Sequence, residues 1–157
     1  MAKFKAAAVF SSNMVLQRDK NVRVFGTGKD GESIIVSICG NTAVTQVADE
    51  KWCVTLPAMK AGGPYEMKIS NGDETIVFGN VMIGEVWLAG GQSNMELELQ
   101  NCMGGKEHLA NDKTENVRYY YTQKNCNMDE KFFRDEENTG WSCFDCESAR
   151  AWSAVAY

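Results

Sequence analysis

With 157 residues, 44% of them hydrophobic and 24% charged, the chain has the composition of a globular protein rather than of a disordered tract. A net charge of −5 without a Lys/Arg cluster argues against a nucleic-acid partner, and the lack of any apolar run of about 18 residues argues against a membrane-spanning helix. The length suits one ordinary domain, or a small domain with part of a second.

At the N-terminus two lysines flank Phe4, and a short apolar stretch runs from Ala6 to Phe10. A secretory signal wants an apolar region of about 7–15 residues and a cleavage site. The expectation is therefore a cytoplasmic chain with reduced thiols. The six cysteines are Cys39, Cys53, Cys102, Cys126, Cys143 and Cys146. Cys39 and Cys53 fall in strand-like runs and read as small buried hydrophobes.

The first eighty or so residues read as β structure. Candidate strands are Asn21–Phe25, Ser33–Cys39, Thr42–Ala48, Trp52–Leu56, Tyr65–Ser70 and Thr75–Phe78. Ile34, Val36 and Ile38 alternate with Ile35, Ser37 and Cys39, which places one face on a core and the other towards solvent. Lys29-Asp30-Gly31, Cys39-Gly40-Asn41 and Asn71-Gly72-Asp73 supply the residues that hairpin turns need, and Gly62-Gly63-Pro64 marks another turn. Strands at this spacing predict a β-sandwich over residues 1–83.

Near Gly84 the pattern changes. Val86, Trp87 and Leu88 form a nearly continuous apolar run from Glu85 to Ala89, as in a parallel strand covered on both faces. Ser93–Leu99 and Lys106–Asn111 are helix candidates, and Val117–Thr122 reads as a strand. The order predicts the start of a βαβ layer over residues 84–157, so the fold class is α+β overall. Gln123–Asn138 is polar and reads as an exposed connection. Trp152, Val155 and Ala156 have helical spacing, with Ser148 as N-cap. The pattern stops at Tyr157 without a cap, so the expectation is a truncated domain with an incomplete sheet. Self-association through that sheet is a further expectation.

The segment with chemical promise is Val86-Trp87-Leu88-Ala89-Gly90-Gly91-Gln92-Ser93-Asn94-Met95. Two glycines allow a sharp turn, and Ser93 sits where a helix begins and backbone N–H groups are unpaired. A hydroxyl there can serve acyl transfer, with its own N–H helping to hold an oxyanion. The G-x-S-x-G elbow works the same way, although here Met95 stands where the second glycine would be. The plainer alternative is a connecting turn with Ser93 as N-cap.

The stretch from Asn13-Met14-Val15-Leu16-Gln17-Arg18 to Gly90-Gly91-Gln92-Ser93-Asn94-Met95-Glu96 resembles the N-terminal part of a sialate O-acetylesterase. Lys51-Trp52 with Val54-Thr55-Leu56-Pro57, Met59–Tyr65, Glu85–Leu88 and Trp152–Tyr157 also match. These are SGNH-type serine esterases. The resemblance implies a β-sandwich beside an SGNH α/β hydrolase domain, no cofactor and no metal, and an O-acetylated sialic acid or other acetylated carbohydrate as substrate. It makes Ser93 the nucleophile and an oxyanion-hole donor, with Gln92 and Asn94 in supporting roles. The family's Gln-Gly-Glu and Asp-x-x-His segments do not occur in these residues. A serine without a base is a weak nucleophile, so the chain alone is expected to be inactive. Two other readings stay open: a noncatalytic carbohydrate-binding or assembly module, and an acetylesterase acting on xylan or another polysaccharide.

Other groups carry blander readings. His108, the only histidine, reads as an exposed helix residue. Cys143-Phe144-Asp145-Cys146 has C-x-x-C spacing, but Cys102, Cys126 and His108 supply no second tight pair for zinc, so incidental thiols are expected. Glu96 and Glu98 suit the first turn of a helix better than a glycosidase acid pair. The four tryptophans read chiefly as core or interface residues rather than sugar platforms.

Overall fold

The computed structural model describes residues 3–111, 114, 116–122, 136 and 138–157. The chain forms two compact units. The first runs to Val86 and takes in Tyr121–Trp141; the second comprises Trp87–Tyr120 and Ser142–Tyr157.

The first unit holds eight strands: β1 (Lys5–Ala6), β2 (Val15–Gln17), β3 (Val22–Thr27), β4 (Ser33–Ile38), β5 (Asn41–Gln46), β6 (Lys51–Leu56), β7 (Gly62–Ser70) and β8 (Thr75–Gly84). They form a three-stranded sheet, β1-β3-β6, and a five-stranded sheet, β2-β8-β7-β4-β5. All pairings are antiparallel except β2 with β8.

Alternation decides which residues turn inward. Val22 and Val24 of β3 are buried opposite Leu56 and Val54 of β6. In β4, Ile34, Val36 and Ile38 are buried while Ser33 and Ile35 face solvent. Residues of both sheets join one core, which includes Phe10, Met14, Leu16, Trp52, Met67 and Ile83. Trp52 also donates its indole N–H to the Thr27 carbonyl at 3.0 Å. A Cβ on Gly26 would lie 2.1 Å from the Lys5 carbonyl oxygen and 2.6 Å from the Trp52 ring, so β3 needs glycine where β1 and the indole close on it.

Two tight hairpins set the register. The β4–β5 loop is Cys39-Gly40, with φ of 53° and 74°, and Asp49-Glu50 closes the Ala48–Lys51 pair with φ of 53° and 59°. Positive φ at both central positions matches the right-handed twist of the flanking strands. Cys39 is thus an exposed turn residue rather than a buried strand residue, and Cys53 is half-buried. The Gly62-Gly63-Pro64 run opens β7 instead of forming a separate turn, with irregular register between Gly62 and Met67.

In the second unit, 3₁₀ turns span Ser93–Glu96, Leu99–Asn101 and Ser148–Ala151, and α1 spans Gly105–Asn111. β9 (Arg118–Tyr119) pairs antiparallel with β10 (Ser142–Cys143). Leu99, Leu109, Ala149 and Trp152 are buried, with Tyr119, Phe144 and Tyr157 packed around them. The Tyr119 and Trp152 rings stack 4.9 Å apart at 12°. The Leu99 N–H donates to the Trp152 carbonyl at 2.8 Å and the Ala154 N–H to the Leu97 carbonyl at 2.7 Å.

Several expectations for this half are corrected. The buried parallel strand over Glu85–Ala89 is absent: β8 ends at Gly84, and Trp87 and Leu88 are 86% and 101% exposed. Among the described residues no strand lies beside this run to supply a ladder, and without one its apolar side chains stay in solvent. The βαβ order gives way to an antiparallel pair. The strand expected over Val117–Thr122 shortens to Arg118–Tyr119. Ser148 is not an N-cap. Asp145 Oδ1 instead accepts the N–H groups of Glu147 and Ser148, each at 2.9 Å. The helix expected through Trp152 ends at Ala151, because Trp152 is extended and Ser153 bridges to Glu98. The Gln123–Asn138 connection lies largely outside the described residues.

Candidate active site

Ser93 opens the 3₁₀ turn Ser93–Glu96 and is exposed, as are Gln92 and Asn94 beside it. The turn closes when the Met95 N–H donates to the Gln92 carbonyl at 2.9 Å, and the Leu97 N–H reaches the Asn94 carbonyl at 3.3 Å. Gln92 makes no side-chain cap. A Cβ on Gly91 would fall 2.8 Å from Met95 Cγ, so a larger residue on the approach to the serine would make the Met95 side chain shift. The arrangement presents a hydroxyl and the first N–H groups of a turn on one exposed surface. Such donors can bind a developing oxyanion.

Of the flanking carboxylates, Glu98 is held by local amides. Glu98 Oε2 accepts Gln100 Nε2 at 2.7 Å and Asn101 Nδ2 at 3.0 Å, which ties it to its own turn. Of the tryptophans, Trp52 and Trp152 are buried, Trp141 is half-buried against the first unit's core, and Trp87 is exposed.

His108 departs from the exposed position expected of it. It is half-buried on α1, with ring centroids 5.3 Å from Tyr157 and 5.9 Å from Phe144. Its Nε2 lies 2.8 Å from the Tyr157 hydroxyl, which donates to Thr114 Oγ1 at 3.2 Å. Sequence spacing could not find this chain, because its members are 43 and 49 residues apart. A shallow depression beside it is lined by Gly104, Glu107, His108 and Asn111, and Ser93 is not part of its wall.

The C-x-x-C residues serve local structure. Cys146 Sγ lies 2.9 Å from the Leu109 carbonyl, and Cys143 is half-buried in β10. The described cysteines are free thiols, and the described residues hold no group of three or more His, Cys, Asp or Glu suited to a metal. Cys126, counted above among available ligands, lies outside the described residues. Asp145 between the two thiols is held below the usual carboxylate range by the Ser148 hydroxyl and then the Ser148 N–H. No described helix is long and apolar enough to cross a membrane.

No protein-family model matches the chain. Sialate O-acetylesterases of Mus musculus and Rattus norvegicus are each 31% identical to it over 119 residues, which is 68% of this chain and 22% of theirs. The Homo sapiens sialate O-acetylesterase is 29% identical over 120 residues, 69% of this chain and 23% of its own. A crystal structure of a carbohydrate acetylesterase from Xanthomonas citri superposes with a TM-score of 0.82 at 28% identity, covering 98% of this chain and 35% of that one. The chain therefore spans less than a quarter of the length of the curated relatives it matches. On this agreement of sequence and structure, the chain belongs to the sialate O-acetylesterase family.

Proposed function

We propose that the chain is the nucleophile-bearing N-terminal part of a serine carbohydrate O-acetylesterase. In this reading the first unit is the family's β-sandwich, and the second begins its SGNH hydrolase domain. Ser93 attacks the acetyl carbonyl of an O-acetylated sialic acid, with its own N–H on the oxyanion. A histidine from outside these 157 residues takes the hydroxyl proton and returns it to the leaving sugar oxygen. Water then hydrolyses the acyl-enzyme and releases acetate. Gln92 and Asn94 border the carbonyl. The single observation that carries the reading is the placement of Ser93. It is an exposed residue at the start of a turn, within a segment that resembles the family's nucleophile segment.

The same reading makes the isolated chain inactive. His108 is engaged with Tyr157 and sits among aromatic rings rather than on the Ser93 turn. Acetate release from 9-O-acetylated sialic acid, measured for the purified chain and for Ser93→Ala, should show no difference between the two. Ser93-dependent turnover would overturn the placement of the base. The second test fuses the chain to the part of the Xanthomonas citri enzyme that follows the matched region. That chimera should be active, and Ser93→Ala should lower its kcat by roughly 10³-fold or more. A folded chimera that keeps its activity without Ser93 would remove the serine from its role. Acetylated xylan belongs in the same assay, since the structural neighbour is described as a carbohydrate acetylesterase.

A further inference from the structure

At the end of β8, one side chain does the work of a missing strand. β2 and β8 run parallel, with Val15 beside Met82, Leu16 beside Ile83 and Gln17 beside Gly84. The Met82 N–H donates to the Met14 carbonyl at 3.0 Å. The same step along both strands would carry the Val86 N–H to the Arg18 carbonyl. The main chain cannot make that bond, because it turns away at Asp19, where φ is 54° and the N–H goes to the Met59 carbonyl at 2.8 Å.

The Gln17 amide fills the gap. Its Oε1 accepts the Val86 N–H at 2.9 Å, and its Nε2 donates to the Arg18 carbonyl at 3.2 Å. The second Nε2 hydrogen goes to Glu85 Oε2 at 3.0 Å. The amide is thus inserted as a link between the two groups that a longer ladder would have joined directly. Both of its donor hydrogens and its acceptor are used. Glutamate lacks the two donors and would set a carboxylate against Glu85, asparagine is one methylene shorter, and methionine keeps the shape without the polar atoms.

We propose that Gln17 is a positioning residue that extends the β2–β8 ladder to Val86 and locks the backbone at this end of the first unit's sheet. This lock lies within the first unit and does not depend on the reading of Ser93 as nucleophile. The test is amide hydrogen exchange by NMR on the full chain. In Gln17→Met the Val86 amide should exchange roughly tenfold faster, while the Arg18 and Met82 amides hold their rates. Gln17→Glu should also loosen Val86. Adding Glu85→Gln should recover protection, because the new pair again places a donor opposite an acceptor. Equal Val86 exchange in the wild type and Gln17→Met overturns the proposal. So does an equal acceleration at Arg18 and Met82, or a double variant no better protected than Gln17→Glu. Exchange requires no esterase activity and should be unchanged in Ser93→Ala, so failure of the lock and failure of the esterase reading are separate results.

Discussion

The two units bury their apolar residues by different routes. In the first, inward residues alternate along paired strands, close in sequence for β4 with β5 and far apart for β3 with β6 and β2 with β8, and the two-residue Cys39-Gly40 turn holds the β4–β5 register. Core positions such as Val24, Val36 and Leu56 are wholly buried. In the second, a few residues from distant parts of the chain meet: Leu99, Leu109, Tyr119, Phe144, Trp152 and Tyr157. Their regular elements are short, and ring stacking takes the place of a long ladder. A sheet that spreads its core over many positions tolerates one loss better than a cluster hung on one indole.

That contrast can be broken by paired truncations. Trp152 touches the Tyr119, Phe144 and Tyr157 rings. Its replacement by alanine should cost roughly 3–5 kcal/mol, more than so small a cluster can lose. Exchange protection should vanish at Leu99 and Ala154 while Val24 and Val36 stay protected. Leu56→Ala should cost about 2–5 kcal/mol and lower the urea midpoint of the first unit. Loss of protection in both units from either variant would show one cooperative structure and end the comparison.

A smaller effect is expected at Tyr157. Tyr157→Phe keeps the ring packing but removes the hydroxyl between His108 and Thr114. The second unit should lose about 1 kcal/mol, read from the exchange of its slowest amides, with the first unit unchanged. A loss as large as that of Trp152→Ala would place the unit's stability in the polar chain rather than in ring stacking.

The smallest effect concerns acid. The Asp145 carboxyl is held below its usual 3.8 by Ser148. Its contribution is present above the ordinary carboxylate value and is lost as pH falls through the lowered one. An NMR titration should give Asp145 a midpoint below 3.8 that rises towards it in Ser148→Ala. A midpoint that Ser148→Ala leaves in place would remove Ser148 as the cause.

Much of the first unit was legible because its signals are local. Ile34, Val36 and Ile38 announce a face by period two, and Gly40, Gly31 and Gly72 mark turns through their positive φ. Asp49-Glu50 was not legible as a tight turn, since glutamate seldom takes positive φ and here the flanking pair imposes it. At the candidate site, the serine and its neighbours could be named from Gly90-Gly91-Gln92-Ser93-Asn94, and α1 from its short helical run. The strand expected before the serine could not be judged from Val86, Trp87 and Leu88. An apolar run says that burial would be favourable, not that a partner is present to provide it.

The sequence by itself determined the β character of the first unit, the position of Ser93 and the family. The first depends on residue types at fixed short spacings, and the other two on a resemblance carried by motifs spread along the chain. Tertiary structure decided the environment of His108, the cap supplied by Asp145, the route of the chain through Trp152 and the use of Gln17 as a ladder link. In these cases a polar group or ring is satisfied by a partner that folding brings near. Gln17 and Val86 are 69 positions apart, and only the parallel pairing of β2 with β8 brings the amide within 2.9 Å of the N–H it accepts.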